Sequence, residues 1–573
     1  MASHPAGSLV VPVRGRVVAA LLVLTGLAGC AGVPSSGAVR AVRRVPVHGG
    51  LDSPDIRLLP PRPAPGASPA DILRGFLVAS ADVGDSHAIA REFLAPAARA
   101  AWNDEAGVTV YKPASLTVDE VAGGQLRATV SQQATIAADG AYSVASGTVD
   151  RSFTVAKVDG EWRLSKVPDG VLLIENDVQR AYRPVDVFFL DPTLTLLVPD
   201  RIYLPVARRE LPTAMVQALL RGPSGRLSPA VRTAVPDGTT LRGNVTVDGG
   251  TAVVDLSSVA QQTEPASRTA LAAQIVFTLG QLPEVNGVSL QVEGRQLRAG
   301  STPAVAVRSA YASFDPEGAA ASGSGYYVVD GRLHQVDGRT VAGPAGDGAL
   351  PVRSPAVAPG RLQLAALSGP VTDAVLVSGP LRGPLTARVS GGVLTGPSWG
   401  PGGRGVWVVR SAPRPEVLLV PDSAEPVRVA APQLETLGPV QALQVSRDGA
   451  RVAVVAGGTL YVGLVIAPRG AAVRLADFRP VAPTLRQVTD VTWQDADGVI
   501  ALGATTTAPA AWRVEVDGSA VAPVTTSGLP SPPTAVAAAA GRPLLVESDG
   551  QVWAVNGGVA SRLAAGGDPS YPG

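Results

Sequence analysis

The stretch VSRDGARVAVV, residues 445–455, pairs a turn with a strand and recurs in varied form through the C-terminal half of the chain. Asp448-Gly449 is typical of a turn, and the β-branched residues after it are typical of a strand. Matching anchors begin roughly 40–47 residues apart, which is the length of one propeller blade. The anchors are Ser313-Phe314-Asp315-Pro316, Ser354-Pro355-Ala356-Val357, Ser398-Trp399, Val445-Ser446-Arg447-Asp448-Gly449, Thr492-Trp493 and Thr534-Ala535-Val536.

Each anchor is followed by two further apolar runs, so the repeats predict an all-β propeller of six blades over residues 306–573. Radial repetition leaves few free sheet edges, which suits an all-β domain of this length. Seven blades are the alternative if one unit is hidden in the long linkers. The anchor at 445–449 is similar to the repeats of TolB-type propellers, and that resemblance implies the same kind of architecture.

Residues 184–305 alternate strands with two amphipathic helices and predict an α/β domain. Gly222-Pro223 ends the first helix, as glycine followed by proline commonly does. Asp255 is the candidate site residue of this domain. The simpler alternative is that its carboxylate caps backbone amides at a strand end. Four pieces, in this order, resemble the GerMN domain named after spore-germination proteins: Ala218-Leu219-Leu220-Arg221-Gly222-Pro223, Val235-Pro236-Asp237-Gly238-Thr239, Val254-Asp255-Leu256-Ser257 and Thr278-Leu279-Gly280-Gln281-Leu282-Pro283. The resemblance implies an exported domain and brings no catalytic residue with it.

Residues 68–183 begin with helices and continue as strands. Ser68 suits an N-cap, Pro69 suits the first helical position, and Asp71 places negative charge near the helix N-terminus. Hairpin turns are predicted at Asp139-Gly140 and Asp159-Gly160. The apolar positions of the first and second helices are Ile72, Leu73, Phe76, Leu77, Ile89, Phe93 and Leu94. Helices followed by a strand meander, which includes Arg151-Ser152-Phe153-Thr154-Val155, predict an α+β domain, similar to the cone-shaped NTF2-like fold.

One cysteine, Cys30, closes the run Leu27-Ala28-Gly29-Cys30. Arg14, Arg16 and a short apolar run over residues 17–24 precede it, which is the make-up of a secretory signal. The cysteine makes this stretch resemble the bacterial lipoprotein signal, although a plain signal peptide with a chance cysteine would share the same flanks. The resemblance implies cleavage between Gly29 and Cys30, an S-diacylglycerol group on the sulfur and an N-acyl group on the new N-terminus.

These assignments divide the start of the chain into a signal peptide, residues 1–29, and a lipidated cysteine with a proline-rich stalk, residues 30–67. Proline-rich segments stay extended, at about 3.1 Å per residue. Several acyl chains hold a protein on a membrane far better than one. We therefore expect the rest of the chain on the extracytoplasmic face of the cell membrane, attached by its lipid.

Composition excludes several classes of function. The net charge of the 573 residues is +1, which gives no electrostatic case for binding nucleic acid. With one cysteine, no intramolecular disulfide can form. Of the four histidines, His4, His48, His87 and His334, the two beyond the stalk lie in different predicted domains. A histidine-based metal site or triad is therefore not expected, and neither a metal nor a cofactor is predicted.

Two short motifs match catalytic or metal-binding patterns. Gly396-Pro397-Ser398-Trp399-Gly400 matches the G-x-S-x-G nucleophile elbow, which needs a strand-to-helix turn. No helix is predicted after it, and Ser398 lies on a repeat anchor. Asp495-Ala496-Asp497-Gly498 holds two carboxylates, fewer than an EF-hand loop requires, and is predicted to be a turn between strands. The chain is therefore predicted not to be an enzyme.

Tryptophans define the alternative class of function, a cell-wall glycan-binding protein or an envelope hydrolase. Trp399, Trp407, Trp493, Trp512 and Trp553 could form an aromatic funnel for sugars, although their spacing within the repeats favours packing between blades. A glycan hydrolase would need two carboxylates about 5–10 Å apart that face one groove. Exposed tryptophans at a propeller mouth, or such a carboxylate pair, would favour this alternative.

A lipoprotein signal, an NTF2-like domain, a GerMN domain and a C-terminal propeller, in that order, resemble the LpqB family of actinobacterial lipoproteins over nearly the whole chain. The resemblance implies a partner, the extracytoplasmic domain of an MtrB-like sensor histidine kinase. It also implies that the chain modulates the two-component signalling of this kinase, which controls cell-envelope homeostasis and division. No motif defines the contact with the kinase, so no contact residue is predicted.

Overall fold

The computed structural model describes residues 60–83, 87–121, 123–205, 210–262, 264–297, 304–318, 324–360, 362–411, 414–468, 470–506 and 509–573. The predicted signal peptide, Cys30 and most of the predicted stalk lie outside these residues. All of the described residues belong to one compact unit.

The N-terminal domain packs helices on one sheet. Its elements are α1 (Pro69–Ala79), α2 (Ala88–Glu92), α3 (Pro96–Ala101), β1 (Gly107–Tyr111), β2 (Thr117–Val121), β3 (Gln125–Ala137), β4 (Tyr142–Val158), β5 (Glu161–Lys166), β6 (Val171–Ile174) and α4 (Glu175–Ala181). The sheet order is β5-β4-β3-β1-β6, with β2 paired to β3 and with β1 and β6 parallel. Register shifts between β1 and β3 and between β3 and β4 mark bulges, which bend a sheet. This is the α+β architecture that the sequence predicts.

The first helix of this domain begins as its sequence predicts. Ser68 Oγ accepts a hydrogen bond from Asp71 N at 3.2 Å. The predicted second helix ends at Glu92, before Phe93 and Leu94, because Leu94 forms a β-bridge with Leu164 and Ala95 N donates to Leu164 O at 2.8 Å. The apolar face of α1 is buried in the domain core at Ile72, Leu73, Phe76 and Leu77.

The second domain contains two sheets and two main helices. Its elements are β7 (Arg183–Leu190), β8 (Leu197–Leu204), α5 (Leu211–Arg221), β9 (Thr246–Asp248), β10 (Thr251–Leu256), α6 (Pro265–Leu279), β11 (Gly287–Val292) and β12 (Arg295–Gln296). β7 and β8 pair with each other, and the other strands take the order β12-β11-β10-β9. β10 and β11 are parallel, and α6 forms the crossover that a parallel pair requires. The domain is therefore α/β, as predicted.

Polar side chains of α6 and the residues just after it complete this domain. Thr278 Oγ1 accepts a hydrogen bond from Phe188 N at 3.1 Å, and Gln281 Oε1 accepts one from Asp186 N at 3.0 Å. Gln274, which is fully buried, donates through Nε2 to Phe188 O at 2.9 Å. Because these side chains satisfy the backbone of β7, that edge of the strand needs no further strand beside it. The sequence piece that begins at Thr278 thus has a structural role.

The C-terminal region forms six sheets arranged as blades. Blade 1 consists of β13 (Tyr326–Val329), β14 (Arg332–Gln335) and β35 (Gly567–Ser570), and blade 2 of β15 (Arg353–Val357), β16 (Gln363–Ser368), β17 (Val375–Pro380) and β18 (Thr386–Ser390). Blade 3 consists of β19 (Ser398–Trp399), β20 (Val406–Arg410), β21 (Glu416–Val420) and β22 (Val427–Val429), and blade 4 of β23 (Val440–Val445), β24 (Arg451–Ala456), β25 (Thr459–Ile466) and β26 (Arg474–Pro480). Blade 5 consists of β27 (Arg486–Trp493), β28 (Gly498–Ala504), β29 (Ala510–Glu515) and β30 (Val521–Pro523), and blade 6 of β31 (Ala535–Ala537), β32 (Leu544–Ser548), β33 (Gln551–Asn556) and β34 (Val559–Ala565). A short helix, α7 (Pro344–Asp347), follows β14. The innermost strands contact one another in a closed cycle. The prediction of six blades is confirmed, and the residues that the structure describes hold no sheet for a seventh.

Blade 1 corrects one of the sequence anchors. The anchor at Ser313-Phe314 lies at the end of a 3-10 helix, Arg308–Phe314, which packs against α6, and its Tyr311 is buried in the core of the second domain. The inner strand of blade 1 is instead β35, which pairs with β13 and so protects its edge. The other anchors lie on or beside inner strands. The repeat spacing therefore fails only where the ring closes, because a strand from the far end of the chain occupies that position.

Candidate functional site

Three domains meet around β8. Tyr203 N donates to Gly140 O at 2.9 Å, so the predicted turn Asp139-Gly140 docks on β8 instead of facing solvent. Asp139 Oδ2 accepts a hydrogen bond from Gly225 N at 2.8 Å. A Cβ atom at Gly140 would lie 3.0 Å from Ile202 Cβ, and the φ angle of Gly140 is +89°. Both the close approach and the left-handed backbone therefore require glycine at this turn.

Arginines make polar contacts between the propeller and the second domain. Arg451, from the stretch that sets the propeller repeat, donates to Pro199 O of β8. Its guanidinium lies 3.5 Å from Asp448 Oδ2, and the two side chains are 8% and 1% exposed. Arg201 of β8 pairs with Glu515 of β29 at 2.7 Å. The motif that predicts blade 4 therefore also fixes that blade to the second domain.

Two carboxyl groups, Asp186 of β7 and Asp497 of the turn before β28, face each other at this junction; we call them the acid pair. Burial raises the pKa of each, and the guanidinium of Arg201 opposes the rise. The Oδ1 atoms of both aspartates are buried, and no other described group donates a hydrogen bond to them. Burial and the mutual repulsion of two carboxylates therefore favour the protonated form of the pair.

The sequence motif around the acid pair has the predicted structure but an unpredicted neighbour. Asp495-Ala496-Asp497-Gly498 leads from β27 into β28 as a turn, and Asp495 pairs with Arg513 at 2.7 Å. Within the described ranges, no group of three or more histidine, cysteine, aspartate or glutamate side chains is placed to hold a metal ion. Sequence reasoning missed the pairing with Asp186, because the two aspartates lie in different domains and no local pattern links them.

Ser398 of the G-x-S-x-G motif joins two blades. It lies in β19 and is 1% exposed, and its Oγ accepts a hydrogen bond from Val445 N at 2.9 Å. A 3-10 turn, Pro401–Gly403, and then β20 follow it, so the helix of a nucleophile elbow is missing. The serine ties the inner strand of blade 3 to that of blade 4.

The propeller tryptophans pack inside and between blades. Trp399 Nε1 donates to Ala356 O at 2.9 Å, and Trp493 Nε1 donates to Gln444 O at 2.9 Å. Each acceptor lies in the inner strand of the preceding blade. The other members of the group are Trp407, which is buried, and Trp512 and Trp553, which are half-buried. None of the five is exposed, so the aromatic funnel on which the glycan alternative depends does not form.

The inner strands of the blades line an axial cavity of about 280 Å³. Asp490 accepts hydrogen bonds from Val536 N at 3.0 Å and Val491 N at 2.9 Å, and burial raises its pKa to about 6. Asp568 Oδ1 accepts a hydrogen bond from Ser354 Oγ at 3.4 Å. Asp490 thus joins blade 5 to blade 6, and Asp568 joins blade 1 to blade 2. Both carboxyl groups have partners that hold the ring together.

Arg447 of the repeat stretch lines the same cavity and connects it to the linker before blade 1. Its Nη1 lies 3.2 Å from Glu317 Oε2, and its Nη2 donates to Ala538 O, beside β31, at 3.3 Å. Burial raises the pKa of Glu317 to about 7. One guanidinium therefore holds the linker against blades 4 and 6.

The two histidines within the described residues, His87 and His334, lie in different domains. His87 is buried in the N-terminal domain near Asp104, and burial lowers its pKa. His334 of blade 1 stacks on Tyr327 with ring centroids 5.5 Å apart. Lipid attachment and signal cleavage at Cys30 fall outside the described residues and stay predictions. No helix in the described part of the chain is both long enough and apolar enough to cross a membrane.

A second cavity, of about 240 Å³, lies in the N-terminal domain between α1 and the sheet. Arg151 of β4 lines it and donates from Nη2 to Thr109 Oγ1 at 3.1 Å. Sequence reasoning placed Arg151 in a strand but missed this position. Because residues two apart on a strand share a face, Arg151 lies on the same face as the buried Phe153. That charged residue on an apolar face is the signal that could have revealed the cavity.

Family models match three consecutive parts of the chain: Lipoprotein LpqB, N-terminal domain, over residues 62–179; Sporulation and spore germination over residues 186–298; and Lipoprotein LpqB beta-propeller domain over residues 331–572. Lipoprotein LpqB of Thermobifida fusca (strain YX) is 33% identical, with 96% of this chain and 97% of the relative covered. The chain belongs to the LpqB lipoprotein family. The family resemblance found in the sequence is therefore confirmed, together with its GerMN-type and propeller domains.

Solved structures similar to this LpqB chain match it in parts. The tandem GerMN domains of the sporulation protein GerM from Bacillus subtilis are 19% identical and cover 22% of this chain and 46% of that chain, with a TM-score of 0.20. TolB from Acinetobacter baumannii is 13% identical and covers 57% of this chain and 88% of that chain, with a TM-score of 0.35. The family name assigns the chain to the membrane-anchored lipoproteins.

Proposed function

We propose that this LpqB-family chain binds the extracytoplasmic domain of an MtrB-like sensor histidine kinase and modulates its two-component signalling in envelope homeostasis and division. In this proposal the lipid on Cys30 holds the protein on the extracytoplasmic face of the cell membrane. The observation that carries the proposal is the match to an LpqB relative over 96% of the chain, because the family resemblance implies this partner.

The way the domains are joined supports a binding role. The contacts of Arg201 with Glu515 and of Arg451 with Pro199 hold the second domain against the propeller, and the turn at Gly140 holds the N-terminal domain against β8. A body whose surfaces are already fixed loses little conformational entropy when it binds a partner. The residues considered for catalysis or sugar binding, Ser398 and the propeller tryptophans, serve packing instead.

The anchor is tested with Cys30→Ala. Without the thiol no diacylglyceryl thioether can form, so the variant should move from the membrane fraction to the soluble fraction. Ser35→Ala, in the predicted stalk, is the control and should stay with the membrane. A Cys30→Ala protein that remains in the membrane fraction would show that the lipid is not the anchor.

The partner is tested by titrating residues 31–573 against the purified extracytoplasmic domain of the kinase. We expect saturable binding that an unrelated sensor-kinase domain does not show. The same pair is also measured on vesicles to which both are tethered, because tethering raises the effective concentration. No binding in either format overturns the kinase proposal. Retention on isolated peptidoglycan together with that result would favour the glycan alternative.

A further inference from the structure

The cavity in the N-terminal domain has apolar walls and a polar end. Its volume is about 240 Å³, below the roughly 300–1,000 Å³ of sites that take drug-sized ligands, so it suits a compact ligand. Thr109 and Thr135, on neighbouring strands, line it together with Arg151. Its apolar walls come from α1 and the sheet: Phe76, Leu77, Ile136, Phe153 and Leu172.

Arg151 is the feature that distinguishes this cavity. The side chain is half-buried, and the Thr109 hydroxyl is the acceptor for its guanidinium at 3.1 Å. No carboxylate of the described residues lies within ion-pair distance of it, whereas Arg91 and Arg62 of the same domain pair with Asp104 and Glu92. A guanidinium has five donors, so most of those of Arg151 remain available to a ligand.

The chemistry of the walls defines the ligand. A planar guanidinium matches a carboxylate in a two-point hydrogen-bonded geometry. One cation suits a ligand with a single negative charge. Asp169 also lines the cavity, with its carboxylate accepting a hydrogen bond from Asn103 N at 3.0 Å, and its negative charge disfavours a second negative charge on the ligand. The aromatic and aliphatic walls suit an apolar body attached to that charge.

We propose that the N-terminal domain binds a compact amphipathic monocarboxylate in this cavity. Arg151 binds the carboxylate, Thr109 orients the guanidinium, and the apolar body lies against Phe76 and Phe153, whose rings pack edge to face on each other. The inference is independent of the proposed kinase contact, because every residue that carries it lies within the N-terminal domain.

The experiment is a calorimetric titration of residues 31–573 with two probes, octanoate for an acyl chain and 4-ethylbenzoate for an aromatic acid. We expect saturable binding of at least one acid. The acid that binds more tightly shows whether the cavity takes an acyl chain or an aromatic acid. Octan-1-ol, which has the same body as octanoate but no charge, should bind more weakly than octanoate. The proposal is overturned if neither acid shows saturable binding. It is also overturned if octanoate binds but octan-1-ol binds equally tightly.

Variants assign the charge to one side chain. Arg151→Gln should weaken binding by about ten- to hundredfold, because it removes charge-assisted hydrogen bonds to the carboxylate. Arg127→Gln, an exposed arginine on the adjacent strand β3, is the matched control and should leave the affinity unchanged. Equal affinities of the wild type and Arg151→Gln would contradict the assignment.

Two milder substitutions keep the test decisive if Arg151→Gln fails to fold. Arg151→Lys keeps the charge but loses the two-point geometry, so its affinity should fall between those of the wild type and of Arg151→Gln. If the glutamine variant cannot be measured, the affinity of Arg151→Lys should still be lower than that of the wild type. Thr109→Val removes the hydroxyl that orients Arg151 and should also weaken binding. Wild-type affinity in both variants would overturn the role given to Arg151.

Discussion

The ring of blades and the junction between domains combine apolar packing and buried polar contacts in different ways. Neighbouring blades share apolar clusters, such as the one between blades 5 and 6 that includes Ile500, Leu502 and Val546. At the junction, Ala450, Leu464 and Ile466 of blade 4 pack into the apolar core of the second domain, and buried charge is added to this packing by the contact of Arg451 with Pro199 O and by the acid pair. Apolar clusters arise from a repeated residue pattern, whereas each charged contact depends on one partner at one place. The ring should therefore be sensitive to lost volume and the junction to lost charge.

The largest effect is expected in the ring, for Trp399→Ala. This change removes a buried indole between blades 2 and 3 and its hydrogen bond to Ala356 O, and should lower the free energy of unfolding by about 3–5 kcal/mol. Urea unfolding followed by circular dichroism measures the loss. Trp553→Ala, at a half-buried position in blade 6, should cost less. Equal losses would show that burial between blades is not what makes the ring stable.

The next effect is expected at the junction, for Arg451→Met. Methionine retains much of the side-chain volume but loses the charged hydrogen bond to Pro199 O and the ion pair with Asp448. We expect a loss of about 1.5–3 kcal/mol, measured by calorimetry. Arg474→Met, at an exposed position in the same blade, is the control and should change little. An unchanged Arg451→Met protein would contradict the role of charge at the junction.

The acid pair predicts a pH dependence. The folded pKa of both aspartates lies above the ordinary value of 3.8, so their favourable contribution is complete below that pH and is lost as pH rises through the folded pKa. Asp497→Asn keeps a hydrogen-bond donor beside Asp186 without a charge. Its melting temperature should therefore fall less than that of the wild type between about pH 4 and pH 8.

The control for this measurement is Asp549→Asn, in an exposed turn, which should keep the wild-type slope. Glu317, with a pKa of about 7, and Asp490, with a pKa of about 6, also lose protons in this range, and both are present in the variant and in the wild type. The difference between the two slopes thus reports the acid pair. Identical slopes would show that the pair does not titrate as a buried unit.

The smallest effect is expected for Glu416→Gln, within blade 3. Glu416 pairs with Arg410 at 2.6 Å, but the two side chains are 26% and 32% exposed, so water screens the pair. The loss in free energy of unfolding should stay below about 1 kcal/mol in urea titrations. A loss as large as that of Arg451→Met would mean that exposure does not separate the two kinds of ion pair.

Much of the fold could be predicted from local pattern. The β-branched residues after the anchor at residue 445 predict β24, and Ser68 predicts the start of α1, because both depend on residues that are close in sequence. The end of α2 at Glu92 could not be predicted, because it depends on the bridge from Leu94 to Leu164 of a later strand. The same limit applies to the sites, since Arg151 belongs to a predicted strand but its cavity needs α1 above the sheet.

By itself, the sequence determined the order of the domains, most of the strands and the resemblance to the LpqB family, because repeat spacing, turn residues and a lipoprotein signal are local features. Only the tertiary structure decided that β35 closes the ring, that Asp186 meets Asp497 and that Arg151 faces a cavity. The physical reason is distance along the chain. Each of these contacts joins segments that are far apart in sequence, and one buried pair of residues leaves no period for a sequence to show.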